Sequence, residues 1–82
     1  MTNDNETKKQ PVKQFRIGAI SATIWPREHN GTVTYSTTLE RSYKDKEGKW
    51  QRTSSFELGD LYVVEKLAPQ AARFIEDLQF AE

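Results

Sequence analysis

The sequence predicts an α+β domain. It should be an antiparallel meander of three strands, four if the first run is two, followed by a C-terminal amphipathic helix kinked or split at Pro69. Three features lead there. Apolar and polar residues alternate between Phe15 and Phe56, and breaks at Asn30-Gly31 and Gly48 punctuate the alternation. After Gly59 the apolar period changes from two to between three and four.

Residues 1–12 are polar and aperiodic and end near Pro11, which reads as a disordered tail ahead of one sheet-plus-helix domain over 13–82. The first strand is KQFRIGAISATIW. Phe15 and Ile17 are odd-numbered and Ile20, Ala22 and Ile24 even, so the phase flips across Gly18-Ala19. A β-bulge there is the economical explanation. In the loop PREHNG, Pro26 should stop the strand, and Asn30-Gly31 suits a tight reversal. The second strand, TVTYSTTLERSY, puts Val33, Tyr35, Thr37 and Leu39 on one face and Thr32, Thr34, Ser36, Thr38 and Glu40 on the other.

KDKEGK is a charged hairpin turn leading into a third strand, WQRTSSFEL. Pairing Tyr43 with Trp50 would set Arg41 opposite Arg52 and Leu39 opposite Ser54. Two opposed arginines call for a negative group above them. Gly59-Asp60 opens the helix, with Asp60 as N-cap and a stripe of Leu61, Val64, Ala68, Ala71, Ile75 and Leu78. Pro69 should kink the helix or divide it. Ile20, Ile24, Val33 and Leu39 are expected beneath the helix, and the opposite sheet face is serine, threonine and Trp25.

Composition narrows the function. Eighty-two residues leave room for one domain, and an apolar fraction of 35% is lean for a core. Dimerisation is the usual remedy where metals and disulfides are lacking. The chain has no cysteine and one histidine, so neither zinc nor any other cofactor is expected. Val63, Leu67 and Phe74 extend the apolar helix surface beyond one stripe and Phe80 lies past its end, which points to a homodimer. The start of the chain has no apolar core of a secretory signal, and no run of about 18 apolar residues spans a membrane. A cytoplasmic protein is expected.

Zero net charge conceals a dipole. Lys8 to Arg52 holds ten bases against four acids, whereas Thr53 to Glu82 holds two bases against six acids. Catalysis finds no residues to run on: His29 sits in a polar turn, the acids lie in tails, turns and the outer helix face, and Gly18, Gly31, Gly48 and Gly59 are isolated. Cations interleaved with aromatics are what single-stranded DNA or RNA requires, charge for phosphates and rings for bases. The candidate set is Trp25, Arg27, Arg41, Tyr43, Lys44, Lys46, Lys49, Trp50 and Arg52. Tyr35 and Phe56, on the predicted core face, are packing residues. The other open reading is a small protein-interaction or regulatory subunit that uses the Ser/Thr face or a sheet edge.

The strands FRIGAISATIW, GTVTYSTTLERSY and WQRTSSF with the following helix resemble the Whirly-type folds, among them the positive-cofactor-four coactivators and the Pur-type repeats. That resemblance covers about Lys13 to Leu78 and implies a dimer that lays single strands over curved β-ribbons. It carries over no individual binding residue. The stretch ISATIW…TLERSYKD…W also resembles small bacterial proteins, which implies no activity.

Overall fold

The computed structural model describes residues 10–80. The tail expected over 1–12 lies outside the described residues as far as residue 9. Gln10, Pro11 and Val12 are exposed, and the Val12 amide already donates to the Ile24 carbonyl at 2.9 Å. Strands β1 (Lys13–Ile17), β2 (Ile20–His29), β3 (Thr32–Lys44) and β4 (Trp50–Thr53) form one antiparallel sheet in chain order. A helix, α1 (Leu58–Phe80), packs on β1, β2 and β3 but not on β4.

The expected bulge at Gly18-Ala19 is instead a two-residue hairpin turn, with Ile17 opposite Ile20 and Phe15 opposite Ala22. Folding a chain back through two residues flips the apolar phase as an inserted residue does, so alternation alone does not separate the two. Gly18, at φ +61°, supplies the positive φ that a type II′ turn needs at its first central position. The second reversal follows its sequence: Asn30 at +53° and Gly31 at +81° make the two positive φ values of a type I′ turn.

Pro26 does not stop the strand, since β2 continues to His29. The Ile24 carbonyl faces β1, so by alternation Pro26 faces the same way, two residues past the last β1 pair, Lys13–Ile24. Its missing N–H costs no ladder bond there. The third hairpin is shifted by one residue from the expected register. Lys44 faces Trp50, Ser42 faces Arg52 and Arg41 faces Thr53, so the two arginines lie on opposite faces and no repulsion arises. Asp45 explains the shift. Its carboxylate accepts from the Glu47 and Lys49 amides at 2.9 Å each and from Gln51 Nε2 at 3.1 Å, holding a five-residue tip with Gly48 at φ +82°.

In α1, Asp60 is not the N-cap. The helix starts at Leu58, and the Asp60 carboxylate reaches back to the Glu57 amide at 2.9 Å, the reciprocal half of a capping box. The helix holds Pro69 within one element rather than dividing there. Its buried face is rotated from the expected stripe. Leu67 and Ala71 are buried, with Val63, Val64, Phe74 and Ile75 half-buried, whereas Leu61, Ala68 and Leu78 are exposed. Taking Leu67 as the centre, Leu61 and Ala68 fall about 100–120° away, at the margin of a face that wide. Leu78 is in phase but stands near the exposed end of the helix.

The core gathers Ile20, Ala22 and Leu67, flanked by Phe15, Leu39, Phe56, Val63 and Val64. Ile24 is fully buried as well, and the Phe15 and Phe74 rings meet edge to face at 6.1 Å. Full burial of a side chain the size of Leu67 stabilises by about 1.5–3 kcal/mol. Val33 was expected beneath the helix but is 47% exposed, because the β2–β3 hairpin runs on past it. No helix among the described residues is long and apolar enough to cross a membrane.

Candidate nucleic-acid interface

The registers sort every strand residue onto one of two faces. Phe15, Ala22 and Leu39 are mutual partners under α1, so the alternate residues form the open face. Gln14 and Arg16 come from β1, and Ser21, Thr23, Trp25 and Arg27 from β2. Strand β3 adds Thr34, Ser36, Thr38, Glu40, Ser42 and Lys44, and β4 adds Trp50 and Arg52. Four cations (Arg16, Arg27, Lys44, Arg52) thus share this face with one carboxylate, Glu40. The other layer differs in sign: α1 carries Asp60, Glu65, Glu76 and Asp77 against Lys66 and Arg73. The linear charge asymmetry is carried into space only in part, since Lys13 and Arg41 face the helix side of the sheet and Lys46 and Lys49 lie on the β3–β4 tip.

A polar groove of ≈ 260 Å³ runs across the open face, with Ser21, Thr23 and Thr38 on its floor and Gln14, Arg16 and Arg52 among its walls. Ser21 and Thr23 are buried although they are small and polar, because longer neighbours stand over them. Gln14 Nε2 donates to Thr23 Oγ1 at 2.9 Å and Trp25 Nε1 to Thr38 Oγ1 at 3.1 Å. Arg52 meets Glu40 at 3.5 Å, a long and solvated pair worth at most about 1 kcal/mol. That pair orients the guanidinium without withholding it from a stronger anion.

Of the sequence candidates, Trp25, Arg27, Lys44, Trp50 and Arg52 stand on this face. Arg41 and Tyr43 do not. Arg41 lies on the helix side, where its Nε is 3.1 Å from Asp60 Oδ2 and its Nη2 donates to the Ser55 carbonyl at 3.1 Å. Tyr43 stacks beneath the same guanidinium at 5.9 Å. The expected group above an opposed arginine pair does not arise: Asp60 of the chain's own helix meets Arg41 alone, while Arg52 lies on the other face beside Glu40. Lys46 and Lys49 are exposed on the β3–β4 tip, beside Asp45 rather than in the groove. The Lys49 amide above all, then Gln51 and the Glu47 amide, hold the Asp45 carboxyl below its usual range.

Gln14 and Arg16 are the additions that the candidate set lacked. Their signal was the Gly18-Ala19 turn: read as a hairpin, it places Arg16 opposite Ser21, on the polar face. Trp25 and Trp50 stand far apart along this surface, with Arg27 beyond Trp25. The tryptophans' partners Ser36 and Lys44 are eight residues apart on β3, about 26 Å at the usual rise of ~3.3 Å per residue. Among the described residues no three His, Cys, Asp or Glu side chains cluster as metal ligands. No protein-family model, curated protein or solved structure matches the chain.

Proposed function

We propose that this protein is a non-catalytic, sequence-tolerant binder of single-stranded nucleic acid, and that the open sheet face is its binding surface. The observation that carries this reading is the segregation of charge between layers, with four cations and two tryptophans on the open face and the acidic helix behind. Arginines and lysines along a groove track phosphates, hydroxyls of the Ser/Thr floor bond sugars and phosphates, and the two indoles stack bases. None of these contacts depends on base identity. Titration of a fluorescent oligonucleotide at two salt concentrations tests it. Affinity should fall steeply as salt rises, and no binding at low salt overturns the reading.

The same reading includes a homodimer. The fold is one sheet and one helix thick, 44 × 36 × 15 Å, with a radius of gyration of 15.1 Å. A compact chain of this length is expected at about 12 Å. Leu58, Leu61 and Tyr62 stand 71%, 51% and 62% exposed on the outer side of α1, where a second copy would cover them. Sedimentation of the wild type and of Leu61→Glu tests this. A wild-type dimer that the substitution dissociates supports it, and a wild-type monomer at tens of micromolar excludes it.

A further inference from the structure

We propose that the cavity beside Trp50 is a slot that takes one unpaired nucleobase from a strand lying in the groove. The inference rests on the single-strand reading above and adds a place where that strand is gripped by a ring rather than by charge. The cavity measures ≈ 440 Å³ and is lined by Arg16, Gly18, Ala19, Ser42 and Trp50. That volume falls within the usual span of small-ligand sites, about 300–1,000 Å³.

Each wall contributes something a base can use. Trp50 is 66% exposed, whereas Trp25 is half-buried and tied through its Nε1 to Thr38. An indole left that open at a strand end is a stacking platform in search of a ring. The Lys44 ammonium sits 5.4 Å from the centroid of the Trp50 ring, which holds the indole in place and adds positive charge beside the slot.

The facing wall is the β1–β2 turn, made of the two smallest residues available. The turn geometry demands positive φ at Gly18, and a Cβ built there would meet no atom within 4 Å, so the space beside this backbone is open. Turn backbone and an indole both border this open cavity, and each is a surface against which a flat heterocycle can lie. The Arg16 guanidinium and the Ser42 hydroxyl supply donors for its edge or for the adjoining phosphate.

Continuity with the groove identifies the occupant. Arg16 and Ser42 line both the groove and the cavity. A phosphodiester chain held by Arg16 and Arg52 therefore delivers its next base to Trp50. A free aromatic metabolite would use the cavity alone and leave Arg52 and the rest of the groove idle.

The test uses the shortest labelled oligonucleotide that keeps full affinity, so that sliding cannot hide a register, and a set carrying one abasic residue at each position in turn. One position is expected to matter most, weakening wild-type binding on the order of ten-fold or more, as the loss of one stacked base should. In Trp50→Ala that same abasic residue should cost nothing further. Ala19→Leu narrows the slot from the opposite wall with the indole intact and should reproduce the loss, which protects the result should Trp50→Ala disturb β4. If the oligonucleotide binds salt-dependently but no abasic position couples to Trp50 and Ala19→Leu binds as wild type, the slot is overturned and the groove reading survives. If wild type does not bind at all, both fall.

Discussion

Arg16 and Arg41 are both strand arginines, yet the sheet sends them to opposite faces, so alanine at each should fail differently. Arg16 is exposed on the open face and makes no ion pair among the described residues. Its removal should change stability by no more than about 0.5 kcal/mol. If the open face holds phosphates, each cation lost flattens the plot of log affinity against log salt by about 0.7 for a single strand. The four open-face cations set an upper slope near −3 per protomer, so Arg16→Ala should bring it toward about −2.

Arg41 predicts the reverse. It joins β3 to the start of α1 through Asp60 at 3.1 Å and the Ser55 carbonyl at 3.1 and 3.3 Å, with only 23% and 25% of the two charged side chains exposed. Charge-assisted bonds of this kind contribute about 1.5–3 kcal/mol, and partial exposure favours the lower half of that range. Taking about 2 kcal/mol, an 82-residue domain loses about 8–16 °C in Tm. The salt slope measured below the transition should not change. Thermal melts followed by circular dichroism and fluorescence titrations over a salt series read both quantities on both variants. A flattened slope for Arg41→Ala with an unchanged Tm, or an unchanged slope for Arg16→Ala, would refute the assignment of faces.

Three further outcomes are expected. Leu67→Ala removes a fully buried side chain from the centre of the helix–sheet contact and should cost about 2–5 kcal/mol in denaturant unfolding, while Ala68→Ser on the exposed margin should stay within about 0.5 kcal/mol. Equal costs would show that the helix is rotated otherwise. Glu40→Gln removes the one carboxylate of the open face and should tighten oligonucleotide binding two- to five-fold, about 0.5–1 kcal/mol; weaker binding would mean that orienting Arg52 matters more than repulsion. The Asp45 carboxyl titrates below its unfolded value of about 3.9, so its stabilisation is present above that pH and is lost as pH falls through the lower folded value. The amide resonances of Glu47 and Lys49 should therefore hold their folded positions at pH 5 and shift only in stronger acid, and Asp45→Asn should abolish that acid transition.

Much of the fold was legible because it depends on neighbours in sequence. Strand β3 follows from its alternation, Asn30-Gly31 from the φ values those residues tolerate, and α1 from its change of period. What escaped was whatever two distant segments decide together. A hairpin and a bulge at Gly18 leave the same trace in the alternation, and only the pairing of Phe15 with Ala22 tells them apart. The β3–β4 register moved by one because Asp45 organises the tip through side-chain bonds to the Glu47 and Lys49 amides, which alternation does not register, and a shift of one residue sends a side chain to the other face.

The helix carries apolar residues on several sides, so its sequence left the buried face undecided until the sheet selected the one centred on Leu67. Sequence by itself determined an antiparallel sheet followed by a C-terminal helix, the turn at Asn30-Gly31 and the two-part charge distribution. It did not determine the strand bounds: β2 runs past Pro26, and β4 ends at Thr53, short of the expected Leu58. Tertiary structure alone decided which cations share a face. Arginines at 16, 41 and 52 look alike in a string of letters, but register and helix docking give one to Asp60 and leave the other two beside the groove.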